Sequence, residues 1–144
     1  MPRVLEEVTT QQIDRDHIAR RVDDWADRIN SLYRQIEEWL PLGWSADRAV
    51  TVSMHEELMQ KFGIGGRELP VLRLSYHGTP SARIEPRGLW IIGANGRLDL
   101  FGGSGHYVII DAAENFESPD WHIAPFSDRR KLQRLSRETL ISAL

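Results

Sequence analysis

The chain has 144 residues, 41% hydrophobic and 27% charged, with a formal charge of −3. That length suits one domain, spanning 1–144, that buries about two-thirds of its unfolded surface, and no apolar run approaches the roughly 20 residues of a membrane-spanning helix. The absence of cysteine excludes disulfides and thiolate zinc sites, and the acid excess gives no global attraction to nucleic acid or anionic lipid.

The opening residues show no basic start followed by an apolar core, so a cytoplasmic location is expected, without a membrane partner. Sixteen of the 18 basic residues are Arg. Guanidinium forks suit carboxylates and phosphates, but a GC-rich bacterial genome writes the same composition, so it assigns no function.

The first predicted element is a helix over about 10–40. Thr9 or Thr10 with Gln12 offers an N-terminal cap, Asp14 and Asp16 sit in the first turns, and Pro41 with Gly43 stops it. Ile18, Val22, Trp25, Ile29, Leu32, Ile36 and Trp39 follow alternating steps of four and three, a heptad seam. Ala19, Ala26, Tyr33 and Leu40 widen the stripe beyond what a two-stranded coiled coil uses, which points to packing within the domain, with pairing between protomers left open. Asp16/Arg20 and Asp24/Arg28, spaced i, i+4, mark its solvent faces.

In "AVTVSMHEELMQKFGIGG", Ser53 and Glu56 form a capping pair and Gly63 a stop, predicting a short second helix. Its "HEEL" lacks the second His that a zinc protease needs, because Met59 stands there. From Leu69 the period becomes strand-like: "LPVLRLSYHG", "ARIEP", "GLWIIG", "RLDLF", "HYVIID" and "WHIAP" predict an antiparallel meander of five to six strands over 69–125. Asn95-Gly96 reads as a type I′ hairpin between two of them. The last predicted element is a helix over 128–143, with Leu132, Leu135 and Leu140 on its apolar side. The fold class is α+β.

Two glycine-rich turns lie in the sheet region, and neither opens a helix, so phosphate cradling of the Walker or Rossmann kind is not indicated. No G-x-S-x-G elbow supports a Ser/His/Asp triad. His55, His77, His106 and His122 are scattered; a trio of His106, His122 and Asp111 would suit zinc, but His106 and Asp111 fall on opposite faces of a regular strand.

The stretch "RLDLFGGSGHYVIIDAA" resembles the hairpin of the PD-(D/E)xK nuclease superfamily, in which an Asp on one strand is followed by a strand ending in Asp/Glu-x-Lys. The resemblance covers 17 residues. It implies that Asp99 and Asp111 bind Mg²⁺ and that a catalytic Lys stands at 113, where this chain has Ala113. By alternation, a simple four-residue loop pairs Phe101 with His106, which puts Asp99 on the face of His106 and Val108 and Asp111 on the face of Tyr107 and Ile109. A bulge, with Lys131 replacing the missing base, would restore an active site; otherwise the hairpin reads as degenerate.

Arg130, Arg134 and Arg137, at i, i+4 and i+7, form a basic ridge on the predicted last helix. The sequence therefore reads best as a non-catalytic interaction or accessory module that binds a protein partner or itself through its helices, without a cofactor. Trp25, Trp39, Arg130, Arg134 and Arg137 are the expected contacts. The alternatives are a divalent-metal nuclease, or its inactive relative, using Asp99 and Asp111, and non-catalytic nucleic-acid binding through the Arg ridge.

Overall fold

A computed structural model of the chain describes residues 14–91 and 94–144. Helix α1 (Arg15–Trp39) starts at Asp14, whose carboxylate accepts the His17 N–H at 3.0 Å. The cap expected at Thr9 or Thr10 lies outside the described residues, and Asp14, placed in the first turn by the sequence, is itself the cap. At the other end Leu40 is extended, as a residue before proline must be. The heptad seam faces the chain's own core: Ile18, Trp25, Ile29 and Ile36 are fully buried within the single chain.

After α1 come β1 (Trp44–Asp47), β2 (Thr51–Met54), the one-turn α2 (Glu57–Lys61) and β3 (Arg67–Pro70). Then β4 (Leu72–Tyr76), β5 (Thr79–Gly88), β6 (Arg97–Gly102), β7 (Gly105–Asp111) and β8 (Trp121–Pro125) follow. The chain closes with a 3₁₀ turn at Arg129–Lys131, β9 (Gln133–Arg134) and α3 (Arg137–Ala143). The main sheet has seven antiparallel strands in the order β1-β4-β5-β6-β7-β8-β9, and β2 and β3 form a separate pair. The α+β meander is therefore present, larger than the five to six strands expected because β1 and β9 extend its edges.

Strand alternation gives the sheet two unlike faces. Leu72, Leu74, Ile84, Leu98, Leu100, Ile109 and Ile123 point to one side, where they share a core with α1, Met54 of β2, Met59 of α2, Leu69 of β3 and Leu140 of α3. Helices α1, α2 and α3 and the β2–β3 pair lie on that side. The other face carries no element among the described residues.

Four local expectations are corrected. Ser53 is a strand residue, and Glu56 makes no side-chain cap to α2; its carboxylate accepts the Leu89 N–H instead. "GLWIIG" is not a strand; β5 ends at Gly88 and only an isolated bridge joins Ile91 to Ala94. The type I′ signature belongs to His77-Gly78 (φ 48° and 81°), between Tyr76 and Thr79. Asn95 and Gly96 instead prolong the β6–β7 ladder through backbone bonds to Asp111. Gly96 (φ 114°) lies so close to Trp25 that a Cβ there would come within 2.4 Å of the indole.

The fourth correction concerns the C-terminus, where no continuous helix spans 128–143. Leu135 donates its N–H to the Trp121 carbonyl and β9 pairs with β8, so the edge of the sheet captures this segment. The helix begins only after Ser136, whose hydroxyl and Thr139 cap it reciprocally.

Candidate functional site: the open face of the sheet

Residues of β5, β6 and β7 at alternate positions populate the open face. On β5 these are Arg83, Glu85 and Arg87; on β6, Arg97, Asp99 and Phe101; on β7, His106 and Val108. Register aligns them in rows, with Arg83 opposite Phe101, Phe101 opposite His106, Glu85 opposite Asp99, and Asp99 opposite Val108.

The first row is a stack of planar groups. The His106 imidazole lies between Phe101 (4.3 Å, 23°) and Phe126 (4.3 Å, 10°). Guanidiniums close its two ends, Arg83 at 4.3 Å over Phe101 and Arg129 at 5.4 Å over Phe126, with Arg97 also at 5.7 Å from Phe126. Cation–π attraction of this kind contributes about 0.5–1 kcal/mol at an exposed site.

Beside the stack, Asp99 is buried under its partners. Its carboxylate accepts Arg97 Nε at 2.8 Å and Nη2 at 3.2 Å, meets His106 Nε2 at 3.0 Å, and lies 3.4 Å from Arg87 Nε. Arg97 thus holds both oxygens, while His106 and Arg87 crowd Oδ2, so the carboxylate is neutralised by its own nitrogen partners. Asp99 acts as the anchor that orients Arg97 and His106. Arg83 and Arg87 also share Glu85, and Arg73 is held by Asp47. Five guanidiniums thus stand among three carboxylates on a chain that is acidic as a whole. Asp47 titrates below the usual carboxylate range because it accepts the Ala49 N–H and the Arg73 guanidinium.

Asp111 lies on the opposite face, under α1. The pairing of Phe101 with His106 has the register expected for a simple loop, and the two aspartates do not converge. Asp111 Oδ2 accepts Arg28 Nη1 at 2.5 Å, and Oδ1 accepts the N–H groups of Ala113 (3.0 Å) and Asp120 (2.8 Å). Arg28 also donates to Asp24 at 2.6 Å and to the Glu117 carbonyl. Its spacing from Asp24 suggested a solvent-facing pair, but Arg28 is only 5% exposed and ties the helix to the sheet.

His106 and His122 share the open face while Asp111 does not, so the zinc trio is not assembled. Among the described residues no three His, Asp or Glu side chains gather as a metal site. Lys131 lines a groove beside α3 with Tyr107 and Glu138, on the far side of the sheet from Asp99. Ala113 follows the end of β7, its N–H bound to Asp111.

The proposed contact residues separate. Trp25 is wholly buried against the sheet and stands 6.0 Å from Trp121, so it reaches no partner. Trp39 and Arg134 both line a groove of about 360 Å³, with Trp121, Leu32 and Leu135. Arg130 belongs to the 3₁₀ turn and pairs with Asp128 at 3.0 Å, holding that carboxyl below its ordinary value. Arg137 opens α3. The three arginines therefore occupy three different elements and form no helical ridge.

Arg83, Arg87, Arg97, Phe101 and Phe126 are not among the contacts expected from the sequence. The signal was present in the first four, at i, i+2, i+4 spacing on two adjacent strands. Comparison of the chain with protein-family models, curated proteins and solved structures finds no match, the PD-(D/E)xK nucleases included.

Proposed function

We propose that the chain is a non-catalytic binding module that meets an anionic partner on the open face of its sheet. One observation carries this reading: the Phe101–His106–Phe126 stack, closed at both ends by guanidiniums, stands on the sheet face that no other described element covers. Such a face offers directed N–H donors, already held in place by Asp99 and Glu85, so little side-chain freedom is lost on binding. Both aspartates of the nuclease-like hairpin are engaged elsewhere, Asp111 in the helix attachment and Asp99 in orienting the stack.

The test is retention on immobilised heparin, a polyanion of no particular shape. Arg83→Glu with Arg129→Glu should elute at markedly lower salt than the parent chain. Arg34→Glu on the helix side, where Arg34 bonds Ser31, should elute with the parent. Equal elution of all three proteins would remove the face from consideration.

A second reading rests on the convergence of Trp39 and Arg134 in one groove with Trp121. Tryptophan and arginine dominate binding hot spots, and a protein partner seated there would contact the helix end and the sheet edge together.

A further inference from the structure

Resting on that reading, we infer that the open face holds a binding site for the phosphate group of a small phosphomonoester, gripped between Arg73 of β4 and Arg83 of β5. Register sets these two residues directly opposite each other, in a row that runs Asp47, Arg73, Arg83, Phe101 across β1, β4, β5 and β6. Opposed residues of an antiparallel pair have Cβ atoms about 5 Å apart, and two like charges so placed destabilise the sheet.

The chain supplies no acid where the two cations meet. Both arginines line a groove of about 370 Å³, with Pro80, Ser81 and Phe101 among its walls, and none of its lining residues is acidic. The carboxylates that touch them stand outside it. Asp47, on β1, accepts Arg73 Nε at 3.0 Å and Nη2 at 2.9 Å on one oxygen, leaving Nη1 unspent by that pair. Glu85 belongs to the next row, opposite Asp99, and stands 3.5 Å from Arg83 Nε, long for a charge-assisted hydrogen bond. Packing over Phe101 at 4.3 Å steadies the Arg83 guanidinium. Both side chains remain reachable, at 47% and 52% exposure.

The counterpart to two opposed guanidiniums is an anion of two charges with several acceptor oxygens. A phosphomonoester carries close to two charges and three strong acceptors at neutral pH, so it meets both forks at once. A carboxylate group spends its two oxygens on one fork, and a phosphodiester brings one charge to two cations. The groove has the size of a small-molecule site rather than of an extended interface. Its wall also contains a β-bulge, a device that recurs beside binding sites: the pairing steps from Leu74–Ala82 to Ser75–Pro80 and leaves Ser81 as the extra residue of β5.

The experiment is an NMR chemical-shift titration of the intact, isotope-labelled chain with glycerol phosphate, dimethyl phosphate, succinate and a phosphoserine peptide. Glycerol phosphate should bind with a Kd of about 1 mM and shift the amides of Arg73, Ser81 and Arg83. Dimethyl phosphate and succinate should bind at least about tenfold more weakly. Arg73→Gln and Arg83→Gln should each weaken glycerol phosphate about tenfold, with amide shifts elsewhere unchanged. Arg67→Gln, on the helix side, where Arg67 pairs with Asp23, should leave binding as it is.

Succinate binding as tightly as glycerol phosphate, or a silent Arg73→Gln, overturns the phosphate site. A phosphoserine peptide binding more than about tenfold tighter than glycerol phosphate moves the phosphate onto a protein side chain and overturns the small-molecule occupant. No shift with any probe, while heparin retention still falls in the chain carrying Arg83→Glu and Arg129→Glu, overturns this inference and leaves the anion-binding reading standing. No shift and no change in retention overturn both.

Discussion

The Arg28–Asp111 pair decides whether the nuclease-like hairpin is a site or a strut, and Asp111→Ala tests it. The substitution strands Arg28, 5% exposed, with Asp24 and the Glu117 carbonyl as its remaining partners, and frees the N–H groups of Ala113 and Asp120. Removing one member of a buried pair costs about 3–5 kcal/mol. Each orphaned N–H that water fails to reach adds about 1–3 kcal/mol, so about 4 kcal/mol is a conservative expectation. With a urea m-value on the order of 2 kcal/mol per M, the unfolding midpoint should fall by about 2 M at constant m. Asp111→Asn keeps an acceptor for the backbone donors and should lose about half as much. Urea titration followed by tryptophan fluorescence reads both, because Trp25 and Trp121 lie beside the pair. A midpoint shift below about 0.5 M for Asp111→Ala would falsify the strut argument, and Mg²⁺-dependent stabilisation of the parent chain would return Asp111 to metal chemistry.

Four further outcomes follow from the same geometry. Gly96→Ala places a Cβ within 2.4 Å of Trp25 at φ 114°, and should cost about 2–5 kcal/mol by denaturant titration, whereas Gly65→Ala, with open space around it, should stay within about 0.5 kcal/mol. Ile29→Asp should unfold a monomeric chain, because Ile29 is 0% exposed in a single protomer; a parent dimer converted by this change to a folded monomer on light scattering would move the seam to an interface. Arg21, buried like Arg28, donates among the described residues to the neutral Asn95 alone, at 2.9 Å, and burial holds its guanidinium pKa down; Arg21→Met should therefore cost under about 1 kcal/mol, and a loss equal to that of Arg28→Met would refute this asymmetry. Burial raises the Tyr33 phenol, whose hydroxyl donates to the Pro70 carbonyl at 2.8 Å. Its stability contribution is present below the ordinary phenol pKa near 10 and lost as pH rises above it, so the alkaline limb of a stability–pH curve should flatten in Tyr33→Phe.

The parts legible in the sequence are those where one surface decides the structure. Helix α1 shows its buried stripe because everything it touches lies on one side, and even Tyr33, read as a third apolar row, is buried there. Strands β4 to β8 show their alternation for the same reason. The C-terminal segment misled because the spacing of Arg130, Arg134 and Arg137 suits a helix, while the competing interaction, the Leu135 N–H on the Trp121 carbonyl, is non-local. The only local clue to where the helix begins was Ser136 three residues before Thr139. Arg28 misled in the opposite way. Its i, i+4 partner Asp24 suggested solvent, and nothing nearby in sequence announces an acceptor 83 residues away.

The open face shows why the candidate site was harder to read than the fold. Its constituents alternate visibly along β5 and β6, but the stack forms only once register sets Phe101 opposite His106 and the turn after β8 brings Phe126 over the imidazole. Register also separates the two aspartates and gives them different work. Asp111 is enclosed by the helix, so water cannot replace its partners. Asp99 is held by side chains that reach solvent in part, Arg87 at 55%, His106 at 30% and Arg97 at 17% exposure. Freed from Asp99, those groups could hydrate; freed from Asp111, Arg28 could not. The polar chemistry on the helix side is thus committed to stability, and the polar chemistry on the open side is free to exchange an internal partner for an external one, which is the property a binding face requires.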